Sequence, residues 1–389
     1  MRVVELTERR THVVAGVRAD AIELRRRFGF AFDVVPGWKR GVVRVTPRGV
    51  VGTVTTAGVR WVVRPKLPAD ALHRLIDPAF IPGGVAPGPA WADALGDLMA
   101  DRLVSLLAVR TADGLRADYA ERRQDDAAVR GRIDFPQMAR AGHPFAPVPV
   151  VADEFTTDVP WNQAPKAAAR HLLTHGGLSP AGRARLAAAA APFAPVTARV
   201  PTPAEWDALA ALPQATPYRD LLAWSRVILS AAAAGGGGSD FLAGLEMLFQ
   251  NYITFNLRRL THPLGYAVRA GSLTVRADQT GPPIALRPDL VATAPGGVAR
   301  AVFDVKWKTL AAPGPLAADV HQVMAYALAF GVRTTGLVYP GRRFTRTGYP
   351  LPHDAGTLWV VQMRLTGDPA RVEAGLRWLG RRCVAEALT

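Results

Sequence analysis

Residues 287–308, RPDLVATAPGGVARAVFDVKWK, concentrate the residue types that could do chemistry. Asp289 stands fifteen positions before Asp304, which opens Asp304-Val305-Lys306 within a strand-like segment, Ala301 to Lys308. Side chains alternate along a strand, so Asp304, Lys306 and Lys308 share one face while Phe303, Val305 and Trp307 take the other. Two acids and an amine thereby converge. Paired carboxylates hold a hard cation such as Mg2+ through oxygen, and a neighbouring ammonium orients a water or offsets charge building on a phosphate. The chemistry implied is metal-assisted phosphodiester hydrolysis.

Lysine usage sharpens the point. Only five of 47 basic residues are lysines, at 39, 66, 166, 306 and 308, and two of the five fall here. An ammonium is a compact point charge with a movable pKa, which a guanidinium cannot imitate. Taken alone, D-x-K is more often an exposed strand face whose charges pair with one another. Asp289 at a hairpin-compatible distance, and the helix after the strand, turn the reading toward a site.

That helix, roughly Ala318 to Phe330, places Gln322 and Tyr326 one turn apart on a single face. Coming directly off the strand, the face can reach the acids or a DNA backbone. An earlier amphipathic helix, FLAGLEMLFQNYITFNLRRL with Asp240 as its N-cap, puts Glu246 and Gln250 on a shared face. Glu246 is a candidate third oxygen ligand or a support behind the ligands, weighed against a plain solvent-facing acid.

The elements that must position these residues follow from periodicity. Residues 1 to about 68 are β-rich, with RGVVRVTPRGVVGTVTTAGVRWVVRPKLP alternating between Pro and Gly punctuation. A Pro and Gly rich loop covers 82–89. From Trp91 the pattern turns helical, continuing through Pro165–Thr174, Ala181–Ala190, Pro203–Leu212 and Tyr218–Leu229. AAAAGGGGS, Ala231 to Ser239, reads as a flexible hinge and domain boundary. Beyond it, short strands near Tyr266–Arg269 and Leu273–Arg276 lead to the two Asp-bearing strands, the Gln322 helix and further strands. A last helix begins at Asp368-Pro369, so the order is that of a mixed α/β sheet with one right-handed crossover.

Composition bounds the rest. A chain of 389 residues is long enough for two or three domains. No apolar stretch is long enough to span a bilayer and the N-terminus lacks a signal-peptide run, so a soluble cytoplasmic protein is expected. The single cysteine, Cys383, excludes intrachain disulfides, cysteine-rich zinc sites and iron–sulfur ligation by several thiolates. A formal charge of +15 permits a polyanionic partner without requiring one. His171 and His175 have i, i+4 spacing, but Leu172 stands where a zinc protease helix needs Glu. There is no G-x-x-x-x-G-K-[ST] and no G-x-S-x-G, so neither nucleotide binding by this chain nor serine hydrolysis is expected.

A wider series carries a family likeness. Pro65-Lys66, Gly131-Arg132-Ile133-Asp134-Phe135, and Asp153-Glu154-Phe155 with Asp158, Asn162 and Lys166 come first. Phe241-Leu242 to Phe249, Arg287-Pro288-Asp289-Leu290, and Asp304-Val305-Lys306-Trp307-Lys308 follow. Asp319-Val320-His321-Gln322 with Tyr326, and Leu337-Val338-Tyr339-Pro340, complete it. In order and spacing, from about residue 50 to 340, this resembles McrC, the nuclease subunit family of the 5-methylcytosine-specific McrBC restriction systems.

The resemblance implies a multidomain α/β protein. Its parts would be a β-rich N-terminal domain over 1–80 that contacts a GTPase, a mainly helical middle region over 90–234, and a C-terminal PD-(D/E)XK restriction-endonuclease-like domain over 239–389. It implies Mg2+ held by Asp289 and Asp304, Lys306 as the catalytic lysine, and Gln322 and Tyr326 as the Q-x-x-x-Y pair of RecB-like nucleases. The family often shows Glu where Gln250 stands; if that Glu is a metal ligand elsewhere, this chain has lost it or uses Glu246, one turn earlier. The partners implied are an AAA+ GTPase resembling McrB, whose GTP hydrolysis the chain stimulates, and DNA containing modified cytosine. Two other readings stay open: a regulatory adaptor that holds DNA without cutting it, and a stand-alone RecB-like repair nuclease.

Overall fold

The computed structural model describes residues 1–77, 91–127, 129, 131–141, 147–211, 218–232, 240–275, 284–310 and 314–384. The 82–89 loop and residues 233–239 of the expected hinge lie outside them. The chain forms two compact units, one of Met1–Leu98 with Ala233–Thr389 and one of Met99–Ala232.

The first unit begins with β1 (Arg2–Thr7), β2 (His12–Ala15), α1 (Arg18–Phe28), β3 (Phe32–Pro36), β4 (Val42–Pro47), β5 (Val50–Thr55), β6 (Val59–Arg64) and α2 (Ala69–Ile76). The N-terminal segment is β-rich as expected, but α1 interrupts it. RADAIELRRRF consists largely of good helix formers and buries Ala21, Leu24 and Phe28 on one stripe. Strands β2, β4 and β3 form one antiparallel sheet in the order β2-β4-β3, and β1, β6 and β5 lie in another.

The second unit comprises most of α3 (Trp91–Thr111), then β7 (Asp118–Asp126), β8 (Arg132–Ile133), α4 (Phe135–Ala141), β9 (Val148–Thr156), α5 (Pro160–His175), α6 (Pro180–Ala190), α7 (Pro203–Ala211) and α8 (Arg219–Ala232). The helices expected there are present. The three-stranded antiparallel sheet β7-β9-β8 was not expected, because DYAERRQDD in β7 is charged on both faces and mostly exposed, so no apolar alternation reveals it. Pro160 opens α5, which buries Trp161, Ala164, Ala168 and Leu172.

The chain re-enters the first unit through β10 (Phe241–Gly244) and α9 (Leu245–Thr261). Here the expected helix start is corrected. Asp240 is not an N-cap: Phe241–Gly244 pairs antiparallel with β5, completing the sheet β1-β6-β5-β10 and burying Phe241, Leu242 and Ala243. Asp240 instead ion-pairs with Arg27 at 2.5 Å and accepts the Thr55 backbone N–H at 2.6 Å. Gly52, at φ +128°, allows the close approach, since a Cβ there would collide with the Phe241 carbonyl oxygen.

Then come β11 (Ala267–Arg269), β12 (Leu273–Val275), β13 (Ile284–Leu286), β14 (Leu290–Thr293), β15 (Ala299–Val305), α10 (Ala317–Phe330), β16 (Thr334–Gly341), β17 (Thr345–Leu351), β18 (Gly356–Arg364) and α11 (Pro369–Val384). A six-stranded mixed sheet runs β11-β14-β15-β16-β18-β17. Strands β14 and β15 form an antiparallel hairpin, while β15, β16 and β18 are mutually parallel neighbours, so α10 is the connection between β15 and β16. Val323 of α10 packs with Leu337, Tyr339, Leu358 and Val360, and Tyr326 and Ala327 pack with Val291 and Val302. Asp368 and Pro369 open α11 as expected, with the Ala370 N–H donating to Asp368 Oδ1 at 3.0 Å. Among the described residues no helix is long and apolar enough to cross a membrane.

Candidate active site

The β14–β15 hairpin sets the position of the two acids. Gly296 and Gly297 take φ of +91° and +86° in its turn, and Leu290 stands opposite Phe303. One step outward along that register, Asp289 stands opposite Asp304. Its Oδ2 accepts the Val305 backbone N–H at 2.7 Å, which ties the acid to the neighbouring strand. Asp304 is 2% exposed, inside the sheet between β14 and β16.

Lys306 lies just past the end of β15, where its N–H still donates to the Val338 carbonyl of β16 at 2.8 Å. The period of two returns its side chain to the Asp304 face, and Nζ approaches Asp304 Oδ2 to 2.7 Å. Nζ also donates to Gln322 Oε1 at 2.9 Å. Gln322 Nε2 donates to the Tyr326 hydroxyl at 2.9 Å, and that hydroxyl donates to the Arg287 carbonyl at 3.4 Å. The path therefore leaves Asp304, crosses α10, and returns to the chain just before Asp289. One turn of helix supplies both Gln322 and Tyr326, which is why a single face closes the circuit.

A second carboxylate reinforces it. Asp319, in the first turn of α10, pairs with Lys308 at 2.6 Å and accepts the Tyr339 hydroxyl at 3.0 Å. Strand alternation puts Lys308 on the Asp304 face, whereas Asp319 and Tyr339 stand out in the sequence only as members of the family likeness. The signal available was spacing: Asp319 stands three residues before Gln322, and Lys308 two after Lys306.

Electrostatics follow from burial. Burial pushes the Asp289 carboxyl up to about 7, and the Asp304 charge adds to it, while the Val305 N–H and Lys306 pull back. Asp304 is also raised by burial, against the opposing bond from Lys306, with Asp319 and Glu246 adding repulsion. Burial alone would lower the Lys306 ammonium, but Asp304, Asp289 and Asp319 more than reverse this and hold it above its ordinary value. Lys306 is thus a fixed positive charge at neutral pH. It can orient and stabilise; it is a poor proton acceptor.

Glu246 sits exposed at the start of α9, and half-buried Gln250 lies one turn later. Among the described residues no three His, Cys, Asp or Glu side chains come close enough together to hold an ion. Asp289 and Asp304 supply two carboxylates, and the Glu246 charge is near enough to act on both. That fits Mg2+, which commonly binds through one or two carboxylates and keeps several waters, with substrate phosphate completing its shell. It does not fit a closed all-protein cage. The His171 and His175 rings lie 5.0 Å apart, and burial, followed by the neighbouring His175, lowers His171 to about 4.

A family model described as McrBC 5-methylcytosine restriction system component matches residues 86–340. No curated protein matches the chain. Similar solved structures include a chain of the refined half-complex from a tetradecameric assembly of Thermococcus gammatolerans McrB AAA+ hexamers with bound McrC. That chain is 14% identical, with 99% of this chain and 100% of that one covered and a TM-score of 0.44. A chain of the cryo-EM structure of the Thermococcus gammatolerans McrBC complex is 15% identical, with 64% and 85% covered and a TM-score of 0.35.

Proposed function

The chain belongs to the McrBC 5-methylcytosine restriction system component family, whose model spans residues 86–340, and from that premise we propose that it is the McrC-type, Mg2+-dependent DNA-cleaving subunit of a GTP-driven restriction complex. The observation that carries this reading is the closed circuit of Asp304, Lys306, Gln322 and Tyr326 beside Asp289. Five side chains meet there, two of them acids that repel each other, the electrostatic setting of a cation site.

In this reading Asp289 and Asp304 hold the metal on a PD-(D/E)XK-type hairpin. A bound Mg2+ would polarise the scissile phosphate and lower the pKa of a water. Lys306 orients the attacking water and offsets the charge that accumulates on the phosphoryl oxygens. Gln322 holds Nζ on the Asp304 side, and Tyr326 fixes the Gln322 amide. The Asp289 bond to the Val305 N–H keeps the acids at constant separation during reaction, so little reorganisation is needed.

The partners of this reading are DNA containing modified cytosine and an AAA+ GTPase resembling McrB, whose GTP hydrolysis the chain stimulates. Nucleotide chemistry belongs to that partner, since the chain carries no phosphate-cradling glycine–lysine loop.

One observation favours a second reading. Gln250 stands where the family often shows Glu, and with that acid missing the chain would hold DNA without cutting it and act as an adaptor of the GTPase. Incubating the wild-type chain with partner, GTP and 5-methylcytosine DNA over a Mg2+ titration separates the two. Strand cleavage that rises with Mg2+ supports the nuclease; GTPase stimulation without cleavage at any Mg2+ concentration supports the adaptor.

A further inference from the structure

We propose that Glu8 and Trp307 form a positioning pair through which the N-terminal strands hold the catalytic lysine in place, an inference that rests on the nuclease reading above. Trp307 separates Lys306 from Lys308 and points to the opposite side of the chain. Regular strand pairing ends at Val305, so residues 306–308 have fewer ladder bonds than the acids before them. Their ammonium groups pair with Asp304, Gln322 and Asp319, and the side chain between them anchors the backbone from which both lysines reach the site.

That side chain is 3% exposed, in a socket built from three distant stretches of sequence. The indole Nε1–H donates to Glu8 Oε2 at 2.9 Å, across 299 positions of chain. Phe249 of α9 meets the indole edge to face, with centroids 5.5 Å apart and planes at 65°. Gly49, in the turn between β4 and β5, lies beside the indole edge: a Cβ built there would stand in van der Waals contact with Trp307 Cδ1, at 3.7 Å. The same glycine's carbonyl accepts the N–H of Leu245, the first residue of α9, at 2.9 Å.

Glu8 is itself held. Its N–H donates to the Arg64 carbonyl at the end of β6 at 2.9 Å, and its carboxylate also receives the Lys66 N–H. Glu8 is 3% exposed; burial raises its pKa, while the Trp307 bond and the Lys66 and Arg9 charges oppose the rise. An indole N–H needs only one acceptor, which a backbone carbonyl could provide without the cost of burying an acid. A buried acid spent on this bond joins the strand ends at Glu8, Arg64 and Lys66 to the segment that carries Lys306. Displacing that tie would swing the ammonium away from Asp304 and Gln322 without touching either acid.

The test uses the full chain with its GTPase partner, GTP, Mg2+ and 5-methylcytosine DNA. It measures kcat and KM for cleavage together with stimulated GTP hydrolysis in the same samples. The GTPase rate serves as the internal measure of folded, assembled protein. Glu8→Ala and Trp307→Phe should each lower the ratio of cleavage kcat to stimulated GTPase about tenfold or more, since sub-ångström to ångström displacements of a catalytic group act on the chemical step. KM for DNA should stay unchanged. Glu8→Gln, which keeps an oxygen acceptor for the indole, should restore the wild-type ratio. A ratio that is unchanged in both disruptive variants, or cleavage lost only in proportion to GTPase stimulation, overturns the positioning role. A wild-type chain that stimulates GTP hydrolysis but cuts no DNA overturns the nuclease reading instead, a result visible before any variant is compared.

Discussion

Gln322 bridges Lys306 and Tyr326, accepting from Nζ at 2.9 Å and donating to the phenol at 2.9 Å. Its amide is the one group that touches both the strand-borne ammonium and the helix-borne hydroxyl on this path. Replacing it with Ala leaves Asp304 as the direct side-chain partner of the ammonium among the described residues and removes the link to Tyr326. Gln322→Ala should reduce DNA cleavage by roughly ten- to a hundredfold while folding is retained, because the group acts by orientation. Tyr326→Phe, which removes only the outer bond, should cost less. Equal losses in the two variants, measured as single-turnover cleavage, would contradict this order.

The two acids make stability depend on pH and on the cation together. Asp289 rises from an ordinary value of 3.8 to about 7, so its contribution to stability is fully present below about pH 4 and is lost as pH rises through about 7. Above that point Asp289 is charged and its repulsion with Asp304 grows. A divalent cation relieves the repulsion only where the protons have left, so Mg2+ should raise Tm more at pH 8 than at pH 6. Thermal melts at the two pH values, with and without Mg2+, check this. An equal Mg2+ effect at both would mean the ion binds elsewhere.

Asp240 contributes to the fold rather than to the chemistry. It is 9% exposed, pairs with Arg27 and receives the Thr55 N–H, so it ties β10 to α1 and β5. Asp240→Ala leaves the Arg27 guanidinium without that anion and should destabilise the protein by about 2–4 kcal/mol. Denaturant unfolding gives the value. A change below about 0.5 kcal/mol, the range of an ordinary surface substitution, would show that the pair carries no weight.

How far the residues themselves foretold this arrangement depended on the range of the interaction. The convergence of Asp289, Asp304 and Lys306 was legible because it rests on a hairpin and a period of two, and Gln322 with Tyr326 because it rests on one helical turn. These are local rules. The Glu8–Trp307 bond was not legible, since nothing within 299 positions of intervening chain signals that an acid at the end of β1 will meet an indole. The strand at Phe241–Gly244 was hidden for a related reason: FLAG followed by LEMLFQ reads as a helix start until an unpaired edge of β5 is available to it. The β7–β9 sheet lacked any apolar alternation, and α1 was short enough to be absorbed into a β-rich surrounding. The Asp319 pairing with Lys308 and Tyr339 needed the position of α10 over β15 and β16, which only tertiary packing provides.

The most direct measurement compares wild type with Asp304→Asn, which preserves the shape of a side chain that is 2% exposed while removing its charge. In the presence of partner, GTP, Mg2+ and 5-methylcytosine DNA, single-turnover strand cleavage should fall by at least about a hundredfold, as for loss of a principal electrostatic group at a reacting phosphate. Stimulated GTP hydrolysis should remain at the wild-type level. Cleavage by Asp304→Asn at the wild-type rate would place the chemistry at some other residues and contradict the nuclease site.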